Sequence, residues 1–378
     1  MMPLPDPSRW RPSGGRRLAI RVLCSLAIAL SASPAGAQGT SPAGCPSRQP
    51  LSFVCGTEHP EDLAPIPDTP WLIVSGFADG AGLKLIDTRS KNAKRWYRGA
   101  SEQVAADPRR YPRCSSPPDA ATFNTQGLSL RRTGEGAYVL YAVNHGGRES
   151  VEVFRVSTTT DAEPRLAWQG CLLLPAGMAA NSVASFADGT VLVTVLTRPG
   201  TTIADFVQGR KTGAVYEWTP RAAGFQLVRG TQLPGNNGLE VSPDQKSFYV
   251  VAFGWHAVVK FARGNPARWL RKGTAPDFMP DNIHWDGSRL IAAGMRYDEP
   301  ACGGVRKVIA GKADDMHCHR GYVVAAVDPA TLDFHTLAYS GPNPDFNGVS
   351  TGIILDGILW LGSYQADRLA FRPTPNLQ

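Results

Sequence analysis

Along this chain, short apolar runs of four to six residues alternate with turn residues, and apolar positions almost never recur at helical spacing. Runs at 138–143, 151–156, 191–195, 248–252, 258–261, 323–327 and 358–362 are β-branched or aromatic and are bounded by Gly, Pro, Asp or Ser, as strands are. The pattern predicts an all-β fold with no long helix.

Aligning the runs exposes a repeat. A polar pair precedes a short strand, an Asp or Gly turn follows, and a second apolar strand begins. The pairs are Glu61-Asp62, Gln126-Gly127, Asn181-Ser182, Asn237-Gly238, Asp281-Asn282 and Ser350-Thr351. Their second members lie 65, 55, 56, 44 and 69 residues apart. Such intervals suit four-stranded blades with variable loops, so the repeat predicts one six-bladed β-propeller. In that architecture the innermost strand of each blade lines a central channel. The polar pairs then converge at one end of it as a ring of Glu61, Gln126, Asn181, Asn237, Asp281 with Asn282, and Ser350.

Carboxylate and amide oxygens, with almost no nitrogen or sulfur donors beside them, suit a hard cation. Ca²⁺ accepts six to eight such ligands in flexible geometry, whereas Mg²⁺ demands a tighter octahedron. Glu61, Asn181, Asn237, Asp281 and Asn282 are the candidate ligands. For a single pair, a local role in starting a strand would be the simpler reading, because Asn and Asp favour turns. Recurrence at corresponding positions favours a shared ion.

Composition and boundaries change the picture in three ways. Residues 1–37 read as an export signal. Arginines at 9, 11, 16, 17 and 21 precede or enter an apolar run over 18–32, and Ala35-Gly36-Ala37 supplies a cleavage pattern. The run is too short and interrupted for a membrane span. The remaining residues, 38–378, form the predicted propeller domain, placed in the periplasm or outside the cell. Six cysteines remain there, Cys45, Cys55, Cys114, Cys171, Cys302 and Cys318, without metal-type C-x-x-C spacing. An even count in an oxidising compartment favours disulfides. Cys302 with Cys318 is the expected local pair, and the other four can pair in three ways. Finally, five arginines and one acid of the formal +7 charge fall in the signal, leaving an excess of about +3 that is scattered among acids. Nucleic-acid binding is not expected. The expected partner is a small molecule, and the oligomeric state stays open.

The residues carry a resemblance. Glu61-Asp62-Leu63, Asn124-Thr125-Gln126-Gly127-Leu128-Ser129, Val143-Asn144-His145 followed by Ser150-Val151-Glu152-Val153-Phe154, Asn181, Asn237-Gly238 with Ser242-Pro243-Asp244, and Asp281-Asn282-Ile283 occur in an order and spacing similar to the calcium-dependent six-bladed propeller hydrolases. The chain resembles the paraoxonase/arylesterase branch more than its SMP-30/gluconolactonase relatives. The resemblance implies a catalytic Ca²⁺ on Glu61, Asn181, Asn237, Asp281 and Asn282, and hydrolysis of lactones or aryl esters, with the ion gripping the carbonyl oxygen. It also implies a histidine pair that activates water. His145 matches the second histidine, and the first falls on Gln126. An amide is no general base. Three alternatives therefore stay open: His145 works alone through water, an ion-bound water or the ligand acid Asp281 serves as base, or hydrolysis is not the activity. His145 itself could instead cap the turn it sits in. A second, structural Ca²⁺ would use Asp62, the carbonyl of Leu128, and Ser182, where the family has an acid; that loss of charge weakens the second site.

Two features remain. His284 shares the face of Asn282 on an extended strand and is expected to line the channel. The loop over 303–317 is expected to overhang the channel mouth. Two other functions fit the same architecture: a non-catalytic propeller that binds a ligand or partner with structural calcium, and a strictosidine-synthase-like condensing enzyme, which the calcium ring disfavours.

Overall fold

Burial along the strands shows which of them lie inside the molecule. Val191–Val195, Ser247–Ala252 and Tyr322–Val327 are buried at every residue, whereas Asn92–Arg95 and Arg268–Thr274 are largely exposed. A strand buried on both faces must have sheet on each side, which explains the nearly unbroken apolar runs. The computed structural model, which describes residues 45–159 and 162–374, contains six four-stranded antiparallel sheets among the described residues. The expected export signal over 1–37 lies outside the described residues.

Each sheet is one blade, and five of them run in chain order from channel to rim. The first holds Leu63–Pro65, Trp71–Val74, Lys84–Asp87 and Asn92–Arg95. The second holds Thr125–Gly134, Ala137–Asn144, Ser150–Ser157 and Arg165–Leu173. Val183–Ser185, Val191–Val195, Ala214–Trp218 and Gln226–Leu227 make the third. Asn236–Val241, Ser247–Ala252, Ala257–Ala262 and Arg268–Thr274 make the fourth. The fifth holds Phe278–Asp286, Arg289–Arg296, Tyr322–Val327 and Phe334–Ser340. The sixth departs from chain order. Val349–Leu355, Ile358–Ser363 and Arg368–Pro373 are completed by Ser52–Cys55 from the other end of the propeller sequence, with Ser52 opposite Phe371 and Cys55 opposite Arg368. Pairing the two ends closes the ring of blades.

Three disulfides secure this frame: Cys45–Cys55 beside the closing strand, Cys114–Cys171 on the second blade, and Cys302–Cys318. The local pair expected from the sequence is present. Among the described residues no helix is long and apolar enough to cross a membrane.

Two insertions depart from the blade pattern. Residues 196–213 carry a short helix, Ile203–Val207, capped reciprocally by Thr202 and Asp205. Residues 297–321 carry a two-stranded hairpin, Val308–Ile309 with Lys312–Ala313, between the second and third strands of the fifth blade. The guanidinium of Arg306, from the second insertion, lies 5.8 Å from the Phe206 ring of the first.

The innermost strands are irregular where the polar pairs sit. Register shifts fall between Thr125 and Leu128, Asn236 and Leu239, Pro280 and Ile283, and Val349 and Thr351. In the first and third blades the inner strand begins just after the pair, at Leu63 and Val183. A bulge sets aside the strict alternation of a strand and re-aims its side chains. This accounts for two adjacent polar residues pointing into the same buried region.

Candidate metal centre

Glu61, Asp62, Asn181, Ser182, Asn237, Asp281, Asn282 and Ser350 are all buried. Glu61, Gln126, His145, Asn181, Asn237 and Asp281 line one cavity of about 1210 Å³. Asn282 and Ser350 are absent from its lining and brace Glu61 instead. Asn282 Nδ2 donates to Glu61 Oε1 at 3.0 Å, and Ser350 Oγ donates to the Glu61 carbonyl at 2.7 Å.

Glycines let the blades approach closely enough for this convergence. A Cβ on Gly127 would stand 2.6 Å from both the Asn181 carbonyl oxygen and Ser182 Cα. A Cβ on Gly238 would stand 2.5 Å from the Asp281 carbonyl oxygen and 2.8 Å from Asn282 Cα. These glycines follow Gln126 and Asn237, so the small residue of one pair makes room for the next blade's pair.

Three oxygens in the ring have no hydrogen-bond partner although they are buried: Glu61 Oε2, Asn181 Oδ1 and Asn237 Oδ1. Leaving a buried polar atom unpaired costs roughly 1–3 kcal/mol, and more for a charged one. Electrostatics point the same way. Burial pushes the Glu61 carboxyl well above the usual range, and the neighbouring charges of Asp62 and Asp281 add to the shift. Burial likewise pushes Asp281 to about 7 with a contribution from Asp62, against a lowering hydrogen bond from Asn237. The site therefore gathers acidic groups and unpartnered oxygen lone pairs, with the His284 imidazole, paired to Asp62, offsetting only part of the shift at Glu61. That donor set fits a hard divalent ion such as Ca²⁺.

The second ion position does not fit. Asp62 Oδ1 accepts from the Leu63 amide at 2.9 Å and faces His284 Nε2 at 2.6 Å, while Oδ2 accepts from the Leu128 amide at 2.7 Å. Leu128 thus presents its N–H to Asp62, and Ser182 adds no charge. The other nitrogen of His284 lies 3.4 Å from Glu240 Oε1. Burial alone would lower His284, but Asp62 and Glu240 outweigh it and push the imidazole up to about 10. His284 does line the channel, as its strand position predicts, with Glu240 beside a second, smaller cavity.

His145 does not cap its turn. Asn144 does: its Oδ1 accepts from the Gly146 amide at 2.9 Å and its Nδ2 donates to the carbonyls of Gly146 and Arg148. His145 Nε2 meets Gln126 Oε1 at 2.8 Å, Nδ1 meets Glu149 Oε2 at 2.8 Å, and the ring packs edge-on against Phe77.

Above the ring the cavity is walled by Phe77, Leu196, Ile203, Phe206, Phe253 and Tyr364. Arg306 and residues 311–317 of the disulfide-bonded insertion complete its lining, so the loop does overhang the mouth. The repeat located the ring, but it gave no signal for Glu149, Phe77 or Tyr364, which lie outside the repeated unit. The helix over 203–207 was detectable in principle from its capping box, Thr202-x-x-Asp205, too short a pattern to stand out among turns.

No protein-family profile matches this sequence, and no curated protein matches it. Solved structures with a similar chain trace include a putative gluconolactonase, at 14% identity and TM-score 0.49 over 88% of this chain and 93% of that one. A luciferin-regenerating enzyme follows at 11% identity and TM-score 0.49 over 86% and 96%. A calcium-binding protein, regucalcin from Agrobacterium tumefaciens str. C58, is 10% identical at TM-score 0.48 over 85% and 92%. At such identities these likenesses concern the course of the chain and leave the chemistry to the residues.

Proposed function

We propose that this protein is an exported hydrolase of lactones or aryl esters that works with Ca²⁺ on the channel ring, in the manner of the paraoxonase/arylesterase branch. The observation that carries the reading is the convergence of Glu61 Oε2, Asn181 Oδ1 and Asn237 Oδ1, buried and unpartnered, beside Asp281 at the base of an apolar-walled cavity. Four blades contribute one group each. Turn-forming residues would have found local partners instead. The three disulfides fit an oxidising compartment.

Glu61, Asn181, Asn237 and Asp281 would hold the ion. Asn282, expected from the sequence as a fifth ligand, orients Glu61 through its amide, leaving Oε2 free. When bound, the ion supplies a Lewis acid for the ester carbonyl and stabilises the oxyanion that develops on it. The chain's own residues do the rest. Phe77, Phe206 and Phe253 hold the apolar part of the substrate and exclude bulk water, which strengthens the polar contacts at the base. His145 stands beside Gln126 at that base, where it can take a proton from an attacking water.

Asn237→Ala and Asp281→Ala test the reading. Each should abolish turnover on a panel of aryl esters and lactones while circular dichroism stays that of the folded chain. A panel that no form of the protein hydrolyses, paired with calcium-dependent retention of a small ligand, would assign the ring to binding alone.

A further inference from the structure

We infer that Glu149 is a positioning residue that fixes the proton of His145 on Nδ1 and so makes Nε2, the nitrogen beside Gln126, the one that exchanges protons. The inference concerns the mechanism proposed above and rests on that reading for its kinetic consequence, though not for its geometry.

The argument is an inventory of donors and acceptors. His145 Nδ1 lies 2.8 Å from Glu149 Oε2, and Nε2 lies 2.8 Å from Gln126 Oε1. A carboxylate can only accept, so Nδ1 must carry a hydrogen to satisfy that contact. An amide offers both roles. Gln126 accepts through Oε1 when Nε2 is protonated, and after a half-turn of its amide it donates to a bare Nε2. One neighbour tolerates a single state and the other tolerates both, which confines proton exchange to Nε2.

The turn that presents the pair is built to hold it. The His145 amide donates to the Asn124 carbonyl at 2.9 Å, and the Glu149 carbonyl accepts from the Leu174 amide at 3.0 Å. A Cβ on Gly146 would fall 1.6 Å from the Thr122 carbonyl oxygen, so the turn lies flat on the neighbouring segment. Arg148, the nearest cation in sequence, is held away from the imidazole by buried Glu152, with Nε and Nη2 donating at 2.8 and 2.9 Å. Glu149 is thereby the charged group that faces His145, and Phe77 and Gln126 are its uncharged neighbours. The His145 side chain is 14% exposed and that of Glu149 is 39% exposed. The acid thus stands toward solvent and the histidine toward the cavity.

In the reaction a water oxygen bonds to the ester carbonyl carbon, the carbonyl π pair moves onto its oxygen, and one water proton passes to Nε2. When the tetrahedral species collapses, the alkoxy C–O bond breaks and the leaving oxygen takes that proton back. Glu149 accepts the Nδ1 hydrogen bond throughout and is never protonated, in the role an orienting acid plays in an acid–histidine pair.

Imidazole ¹⁵N spectroscopy on histidine-labelled protein reads the proton positions directly, with His145→Gln identifying the resonances. The wild-type neutral ring should carry its hydrogen on Nδ1. In Glu149→Ala that preference should be lost, and Glu149→Asp should restore it. A wild-type ring protonated on Nε2 alone would overturn the inference. On an ester that the wild type hydrolyses, Glu149→Ala should lower kcat on the order of 10²-fold with KM unchanged. Glu149→Asp should recover most of the rate. An unchanged kcat in Glu149→Ala would reduce Glu149 to a loop residue and overturn the role. If the wild type hydrolyses nothing, the hydrolase reading fails and the spectroscopic arm still decides the proton position.

Discussion

Asn282 donates its side-chain amide to Glu61 Oε1 across 3.0 Å, and the other carboxylate oxygen of Glu61 is left buried without a partner. One residue of the ring thus aims another. Asn282→Ala should leave the propeller folded but let the Glu61 carboxylate rotate. Calcium affinity by titration calorimetry should fall roughly 10–100-fold, the scale on which losing a ligand's orienting partner is felt. Unaltered affinity would mean that Glu61 needs no such support.

Gly127 is where the second blade passes against Asn181 and Ser182, with 2.6 Å between a Cβ built there and its neighbours. Gly127→Ala forces these backbones apart. A cost of about 1–3 kcal/mol is expected, the usual price of overpacking. Calcium affinity should fall with it, since Asn181 is displaced. Denaturant unfolding and calorimetry on the same sample check both effects.

His284 ties Asp62 to Glu240 below the ring, with Asp62 fully buried. His284→Leu keeps the volume and removes the partner. Breaking a buried pair on one side costs about 3–5 kcal/mol, and chemical denaturation in calcium-free buffer should show a loss of that order. A variant as stable as the wild type would show that Asp62 is held well enough by the amides of Leu63 and Leu128.

His256 packs on Tyr297, ring centroids 4.1 Å apart, and burial lowers its imidazole from 6.5 to about 4. Between those values the unfolded chain binds a proton that the folded chain does not. Stability contributed by neutral His256 is therefore complete above pH 6.5 and is lost as the pH falls toward 4. His256→Phe should flatten that part of the stability profile measured by thermal melts across this range. An identical slope in the variant would assign the acid sensitivity to other groups.

The fold was legible because a propeller repeats itself. The apolar runs at 191–195 and 358–362 coincide with observed strands to within a residue, and each of the six polar pairs falls on, or directly before, the inner strand of a blade. The closing strand Ser52–Cys55 was not legible, since it lies far in sequence from its partner Arg368–Pro373 and follows no pair. Within the site, residue type identified the ring but not the direction of its amides. Asn282 turns its nitrogen to Glu61, a choice fixed by a carboxylate from another blade. Asp62, a candidate for a second ion, is already occupied by two backbone amides and His284. Glu149 was hidden for a different reason: it belongs to a turn, where charged residues are common and only the fold brings one against a histidine.

The central claim is that hydrolysis depends on an ion held by Glu61, Asn181, Asn237 and Asp281. The most direct measurement is the rate on a panel of aryl esters and lactones for protein stripped with EDTA, and again after Ca²⁺ is returned. Turnover should fall by about 10² or more on stripping and recover on reconstitution, because a Lewis acid stabilising the oxyanion is worth several kcal/mol. Equal rates with and without calcium would contradict the account.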